Sequence, residues 1–184
     1  ERLMATPAVA MERCHEVTMN MGFTSVRATR NAMHELKNHD VKRAESIRED
    51  ERTADRYEDE LGTYLVKLSG CHLSDQDRVE AAELLHMIGD FERISDHAVN
   101  ILESTEELRG KGIAFTQPAI EEMSKMFGAV DEIMDLALTA FIHSDLSAAR
   151  EVEPLEQVVD TLKEQLRSRH ILRRVESGVA VAGN

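Results

Sequence analysis

Residues 91–101 read FERISDHAVNI, and the spacing of their side chains predicts an α-helix. Apolar residues recur every three or four positions, as one face of a helix with about 3.6 residues per turn requires. These residues are Phe91, Ile94, Ala98 and Ile101. Glu92, Asp96 and Asn100 stand at i, i+4 and i+8 and form a second row. At about 100° per residue, this polar row lies about 150° from the apolar face, so we expect it to point outward.

Outward from this stretch, helix start and stop signals divide the chain into five long helices. Ser74, with Asp77 three residues later, predicts the start of the helix that contains residues 91–101, and Gly110 and Gly112 predict its end. The other helices are predicted to begin at Thr6-Pro7, Asp40, Thr116-Pro118 and Asp145, and the first, second and fifth to end near Leu36, Gly70 and Gly178. Pro154 predicts a kink or a later start in the fifth helix. Short connections favour antiparallel packing, so the predicted fold class is an all-α bundle of long helices.

Composition agrees with a helical protein and excludes two classes of partner. The 184 residues are 42% apolar, with no Trp, two Tyr and three Pro, which is unlike a β-sheet protein. The 22 basic and 35 acidic side chains give a net charge of −13, which argues against binding nucleic acid or anionic lipid. No apolar run reaches the roughly 20 residues of a membrane-spanning helix, so we expect no direct membrane insertion. The first residue is Glu1, without a signal peptide, so we expect a part of a longer protein.

A shift of 105 residues aligns the two halves of the chain without gaps over a long stretch. The shift pairs Met21 with Met126, Asp40 with Asp145, Glu51 with Glu156 and Asp55 with Asp160. It predicts one domain, residues 1–184, built from two three-helix repeats at about 6–112 and 113–184. The second repeat is then incomplete, with its sixth helix absent or truncated. Chance similarity between amphipathic helices is the alternative.

A second acidic row is predicted on the second helix, at about 130° from its apolar face. It consists of Glu51, Asp55 and Asp59. Folding the helical hairpin at about residues 70–73 brings Glu51 level with Glu92. A surface rich in carboxylates suits hard cations, iron, manganese or zinc. The alternative is an ordinary solvated surface, because pairs of acids at i, i+4 are common in so acidic a chain.

The string FERISDHAVNI resembles the signature helix of the PhoU family, the regulators of bacterial phosphate uptake. Residues 3–10 (LMATPAVA), 64–68 (YLVKL) and 169–171 (RHI) are similar to a narrower branch, the PhoU-like cytoplasmic tail of bacterial sodium/phosphate cotransporters. The resemblance covers essentially the whole chain. It implies a regulatory domain at the cytoplasmic side of the inner membrane that acts on its own transporter or on phosphate transport and signalling proteins, and that can form a homo-oligomer. A free-standing cytoplasmic regulator is the alternative.

The resemblance also implies a multinuclear iron or zinc cluster, held on the surface by Glu/Asp-x-x-x-Asp motifs. Carried over by position, Glu51, Asp55, Glu92 and Asp96 would form a first site, and Glu156 and Asp160 half of a second. The absent sixth helix puts the second site in doubt. Asn100 is a further candidate ligand because it shares the row of Glu92 and Asp96, and Asp90 is a weaker one.

Two other functional classes remain open. Glu12-x-x-His15 and Glu83-x-x-His86 match the Glu-x-x-His element of di-iron carboxylate oxidases, whose sites lie inside a helical bundle. His86, however, falls on the outer half of its helix. No nucleophile–base arrangement or phosphate-binding glycine loop is present in the sequence, so we do not expect an enzyme. A plain interaction bundle, whose acidic rows only solvate the surface, is the remaining alternative.

Overall fold

The computed structural model describes the backbone of residues 7–182 and the side chains of residues 7–169. This part of the chain forms five α-helices and contains no strand. The helices are α1 (Pro7–Glu35), α2 (Val41–Ser69), α3 (Asp75–Gly110), α4 (Gln117–His143) and α5 (Leu146–Ala182). The predicted all-α fold class is therefore confirmed.

Capping side chains set the starts of α2 and α3 where the sequence predicts them. The Asp40 carboxylate accepts hydrogen bonds from the backbone N–H groups of Lys42 at 2.8 Å and Arg43 at 3.3 Å. The Ser74 hydroxyl oxygen accepts one from the N–H of Asp77 at 3.1 Å. These bonds satisfy N–H groups that have no partner within the first turn of a helix. The N–H donors also lower the pKa of Asp40, because they stabilise its charged form.

The fifth helix begins directly after Asp145, as predicted, with the Asp145 carboxylate accepting a hydrogen bond of 2.8 Å from the N–H of Ser147, but it ends later than predicted. α5 begins at Leu146 and continues through Pro154 and Gly178 to Ala182. The later start at Pro154 and the end near Gly178 are therefore wrong. A single glycine inside a helix costs about 1 kcal/mol relative to alanine, which a long helix tolerates.

The chain divides into two compact units, and the boundary lies between Ala114 and Phe115. In unit 1, α1, α2 and α3 each pack against the other two and form a three-helix bundle. Its largest fully buried apolar side chains are Met21, Ile47, Leu65, Leu68, Leu84 and Leu102. Unit 2 contains α4 and α5, which pack together as a hairpin.

Small side chains allow α1 and α3 to approach each other closely. The Ser95 hydroxyl of α3 donates a hydrogen bond of 3.0 Å to the Ser25 hydroxyl of α1, and both residues are fully buried. Ala28 of α1 lies in the same buried cluster as Ala98 and Leu102 of α3. Because these positions carry serine and alanine, the two helix backbones are close along this contact.

A buried carboxylate at the end of α1 holds the start of α2. The Glu35 side chain is 0% exposed, lies 3.1 Å from Nη1 of Arg43 and 2.8 Å from Nδ1 of His39. It also accepts a hydrogen bond of 3.0 Å from the backbone N–H of Asp40. A buried charge is tolerated only when it is paired and hydrogen-bonded, and Glu35 has its partners in the connection and in α2.

Replacing Glu35 with alanine should lower the free energy of unfolding by about 3 kcal/mol, because Arg43 and the Asp40 N–H lose their buried partner. Urea denaturation followed by circular dichroism measures this loss. The matched control is Glu60→Ala, which removes an exposed carboxylate from α2 and should change stability by less than about 0.5 kcal/mol. Equal stabilities of the two variants would contradict this role of Glu35.

Candidate functional site

The acidic residues of α2 lie closer to the core than the sequence predicts. Residues 44, 51, 58 and 65 form one column at heptad spacing, in which Ala44 and Leu65 are buried and Glu51 and Glu58 are half-buried. The expectation that this row points away from the core is therefore wrong for Glu51. The reason is that α2 packs against both α1 and α3, so its buried arc is wider than one apolar face.

On α3, the acidic row borders the buried face. Phe91, Ser95 and Ala98 are buried, and Glu92 is half-buried next to them. Asp96 is exposed, as the sequence predicts for an outward row. The carboxylates of α2 and α3 therefore line the edge of the seam between these helices.

Burial and neighbouring charges raise the pKa values of the two half-buried glutamates. The pKa of Glu51 rises mainly because burial disfavours its charged form, and then because of the negative charges of Asp96 and Asp55. The pKa of Glu92 rises from burial and from the charges of Asp96, Glu58 and Asp55, together with a hydrogen bond to Asp96. Carboxylates of both helices thus act on one another across the seam. We call these five residues, Glu51, Asp55, Glu58, Glu92 and Asp96, the seam carboxylates.

The charges that act on Glu51 and Glu92 across the seam differ from the pair that the sequence predicts. Glu51 interacts across the seam with Asp96, whereas the sequence predicts Glu92 at its level. Glu92 interacts instead with Asp55 and Glu58. Side chains of a helix tilt toward its N-terminus, so on antiparallel helices they tilt in opposite directions. A count of residues from the hairpin does not include this tilt.

Glu58 is a seam carboxylate that the sequence reasoning missed. The predicted row on α2 continued from Asp55 to Asp59, but Asp59 is exposed and Glu58 is half-buried and acts on Glu92. The i, i+7 spacing from Glu51 to Glu58 is the signal that identifies it, because residues seven apart lie on the same side of a packed helix.

The seam carboxylates offer only oxygen atoms as ligands and lie on one surface, but they do not surround a position for a single ion. Among the described side chains, no three His, Cys, Asp or Glu residues converge closely enough to hold a metal ion. The chemistry of the donors fits hard cations and also iron, manganese or zinc. Glu51 and Glu92 each have a raised pKa, first because of burial and then because of the negative charges of neighbouring carboxylates.

The other predicted ligands lie apart from this set. Asn100 is exposed, and its backbone carbonyl accepts a hydrogen bond of 2.8 Å from the Ser104 hydroxyl. Asp90 is exposed, with Oδ1 3.9 Å from Nη1 of Arg93. Glu156 and Asp160 are exposed on α5 in unit 2, so they belong to a different unit from the seam carboxylates.

The residues of the predicted di-iron element do not gather inside the bundle. Glu12, Glu83 and His86 are exposed, and His15 is half-buried. An internal di-iron site needs carboxylates and histidines that point into the core from several helices. Exposed side chains at three of these four positions argue against that reading.

Within the described residues, none of the five helices is both long enough and apolar enough to cross a membrane. This agrees with the sequence, which contains no apolar run of the required length.

Comparison with known proteins gives a family match in both units. The family model of the PhoU domain matches residues 18–105 and 123–182. The two matched ranges begin 105 residues apart, which equals the shift of the predicted internal repeat. The repeat remains a prediction, and this agreement supports it.

Two curated relatives are similar to the chain. The phosphate-specific transport system accessory protein PhoU homolog of Clostridium acetobutylicum is 24% identical over 162 residues, which cover 85% of this chain and 71% of the relative. The phosphate-specific transport system accessory protein PhoU homolog 1 of Thermotoga maritima is 28% identical over 95 residues, which cover 52% of this chain and 40% of the relative. No solved structure matches the chain.

The raised pKa of Glu92 predicts that removing its charge stabilises the metal-free protein. A carboxyl group with a raised folded pKa binds protons more readily in the folded state, so stability is lost as pH rises through the raised value. In chelator at pH 7, Glu92→Gln should therefore raise the free energy of unfolding by about 0.5 kcal/mol, as expected from relieving a few like-charged contacts. Thermal unfolding at pH 7 and pH 4 measures the gain, which should shrink at the lower pH.

Glu103→Gln is the control, because Glu103 is exposed on the same helix and outside the seam. It should leave the melting temperature unchanged. A Glu92→Gln protein that is less stable than Glu103→Gln at pH 7 would contradict the electrostatic account of the seam.

Proposed function

The chain belongs to the PhoU family, and from that premise we propose that it regulates phosphate transport and does not catalyse a reaction. The observation that carries the proposal is the PhoU domain match in both units. The two relatives are accessory proteins of phosphate-specific transport systems, which favours a free-standing accessory regulator. The narrower reading, a cytoplasmic domain of a sodium/phosphate cotransporter, stays a prediction. Apolar segments of about twenty residues encoded in frame before Glu1 would favour it.

The proposal includes metal binding by the seam carboxylates. Glu51 and Asp55 of α2 and Glu92 and Asp96 of α3 are the proposed ligands, and Glu58 flanks them. Holding like charges together disfavours the folded state, and a ligand that binds only the folded state stabilises it. Burial is the main cause of the raised pKa values of Glu51 and Glu92, and a cation at the seam would offset the smaller contribution, the repulsion between neighbouring carboxylates.

In this proposal, rotation of side chains brings the ligands around the cation. Asp55 and Asp96 are exposed, and exposed side chains change rotamer within nanoseconds. Their carboxylates can therefore turn toward Glu51 and Glu92. Carboxylates bridge neighbouring ions readily, so the set suits iron or zinc in a multinuclear cluster. Asn100 is a peripheral candidate ligand, and Glu156 and Asp160 remain candidates for a separate site on α5.

Metal occupancy would give a transport or signalling partner a surface to recognise. The seam carboxylates contribute five formal negative charges to a chain of net charge −13, so cations bound there would change the local field strongly. A partner protein that docks on this face would distinguish the metal-bound state from the metal-free state by its charge. In this proposal the regulator acts through recognition and not through a reaction of its own.

The test uses a double variant that keeps shape and removes charge. Asp55→Asn with Asp96→Asn takes one carboxylate from each helix at the seam. The native chain, purified without chelator, should contain at least about one equivalent of iron or zinc by elemental analysis, and the double variant about tenfold less. In bacteria that lack their own PhoU-type regulator, the native chain should change the rate of phosphate uptake, and the double variant should not.

Glu60→Gln with Glu103→Gln is the matched control, because it removes the same charge from exposed positions of the same two helices. It should retain both metal and the effect on uptake. Native protein that binds neither iron nor zinc when titrated, or a control that loses as much metal as the seam variant, would contradict the metal proposal. Uptake unchanged by the native chain would contradict the regulatory proposal.

A further inference from the structure

Two glycines lie beside the seam carboxylates, in the interiors of α2 and α3. Gly62 follows Glu58 by one helical turn, Gly89 precedes Glu92 by one turn, and both glycines are half-buried. A Cβ atom at Gly62 would lie 3.5 Å from Cδ1 of Ile88, so Gly62 faces the turn of α3 that contains Gly89. On both helices, the row of seam carboxylates therefore continues into a glycine at the end of the seam nearer the α2–α3 connection.

Neither the backbone nor crowding requires glycine at these two positions. Gly62 and Gly89 have ordinary helical backbone conformations without a positive φ. A Cβ atom would make an ordinary contact at Gly62 and would meet no neighbouring atom within 4 Å at Gly89. Glycine inside a helix is less stable than alanine, because it loses more conformational freedom on folding. Gly89 therefore leaves an open position that alanine would fill with a gain in stability.

The open position lies next to Glu92. A helical side chain covers the surface over the turn that precedes it, so Glu92 reaches the turn that contains Gly89. The charge of Glu58 acts on Glu92 across the seam, which places carboxylates of both helices beside the same opening. We call the space left by Gly62 and Gly89 the glycine notch. A missing methyl group leaves room for about one oxygen atom, such as that of a water molecule.

We propose that the glycine notch holds an oxygen ligand of the seam cation that the protein does not supply, an oxygen atom of water or of inorganic phosphate. This inference rests on the proposed metal binding. Because no three of the described His, Cys, Asp or Glu side chains converge on one position, a bound cation needs further ligands. Metal ions held by few protein side chains complete their coordination with water or phosphate oxygens. Phosphate would bind only together with the cation, because the seam carboxylates alone repel an anion.

Gly89→Ala tests the proposal through two effects of opposite sign. In chelator, the variant should melt a few degrees higher than the native chain, because alanine favours the helix and its Cβ atom has room. Its affinity for zinc should be about tenfold lower, because the methyl group takes the place of an oxygen ligand. Thermal unfolding measures the first effect, and competition with a fluorescent zinc chelator measures the second. A purely structural role of Gly89 would not lower zinc affinity in a more stable protein.

Gly128→Ala is the matched control. Gly128 lies inside α4, away from the seam, and a Cβ atom there would also meet no neighbouring atom within 4 Å. This variant should keep the zinc affinity of the native chain. Equal zinc affinities of Gly89→Ala and Gly128→Ala would overturn the role of the glycine notch and leave the metal proposal standing. A native chain that binds no zinc would overturn both.

Zinc titrations with and without inorganic phosphate identify the source of the oxygen atom. If phosphate supplies it, phosphate should raise the zinc affinity of the native chain and should have little effect on Gly89→Ala. If water supplies it, Gly89→Ala should bind zinc about tenfold more weakly than the native chain in both buffers. Phosphate binding by the native chain in chelator would overturn the proposal, because the oxygen ligand would then not depend on the cation.

Discussion

Because α2 packs against two other helices, some of its carboxylates are partly shielded from water. α2 contacts both α1 and α3, so its buried arc includes the column that Glu51 and Glu58 share with Ala44 and Leu65. Partial burial makes the charged form of Glu51 less favourable, and the pKa of Glu51 is raised as a result. The apolar core of unit 1 and the Glu35 contacts at the start of α2 stabilise the fold that imposes it. The proposed cation would relieve the repulsion at the place where packing creates it.

Local signals in the sequence predict most of the helical architecture. Asp40 and Ser74 mark helix starts because a side-chain oxygen can accept from the first free N–H groups, and the structure has these bonds. Gly178 does not end α5, because one glycine carries a modest cost that tertiary context or helix length can outweigh. Cap chemistry is thus a stronger signal here than a single helix-breaking residue.

The sequence identified four of the five seam carboxylates, but it did not predict which of them interact across the two helices. Spacing predicted two acidic rows, the PhoU resemblance selected Glu51, Asp55, Glu92 and Asp96 from them, and in the structure the charges of these four act on one another. Glu51 interacts with the charge of Asp96 and not with that of Glu92, and a count of residues from the hairpin omits the opposite tilt of side chains on antiparallel helices. The same count could not separate Glu58 from Asp59, since only packing on two sides decides which of them faces the seam.

The two units share a family match but differ in what they bury. Unit 1 closes its core with three helices and carries the seam carboxylates, whereas unit 2 keeps a half-buried apolar row on α4. The seam carboxylates, for which ion binding is proposed, therefore belong to the unit with the closed core.

X-ray absorption spectroscopy of the zinc-loaded chain tests the central claim most directly, because it reads the identity of the ligand atoms. The seam carboxylates predict a first shell of oxygen atoms at about 2.0–2.2 Å from zinc. A shell containing sulfur at about 2.3 Å, or the scattering pattern of imidazole rings, would place the metal at cysteine or histidine side chains and contradict the account.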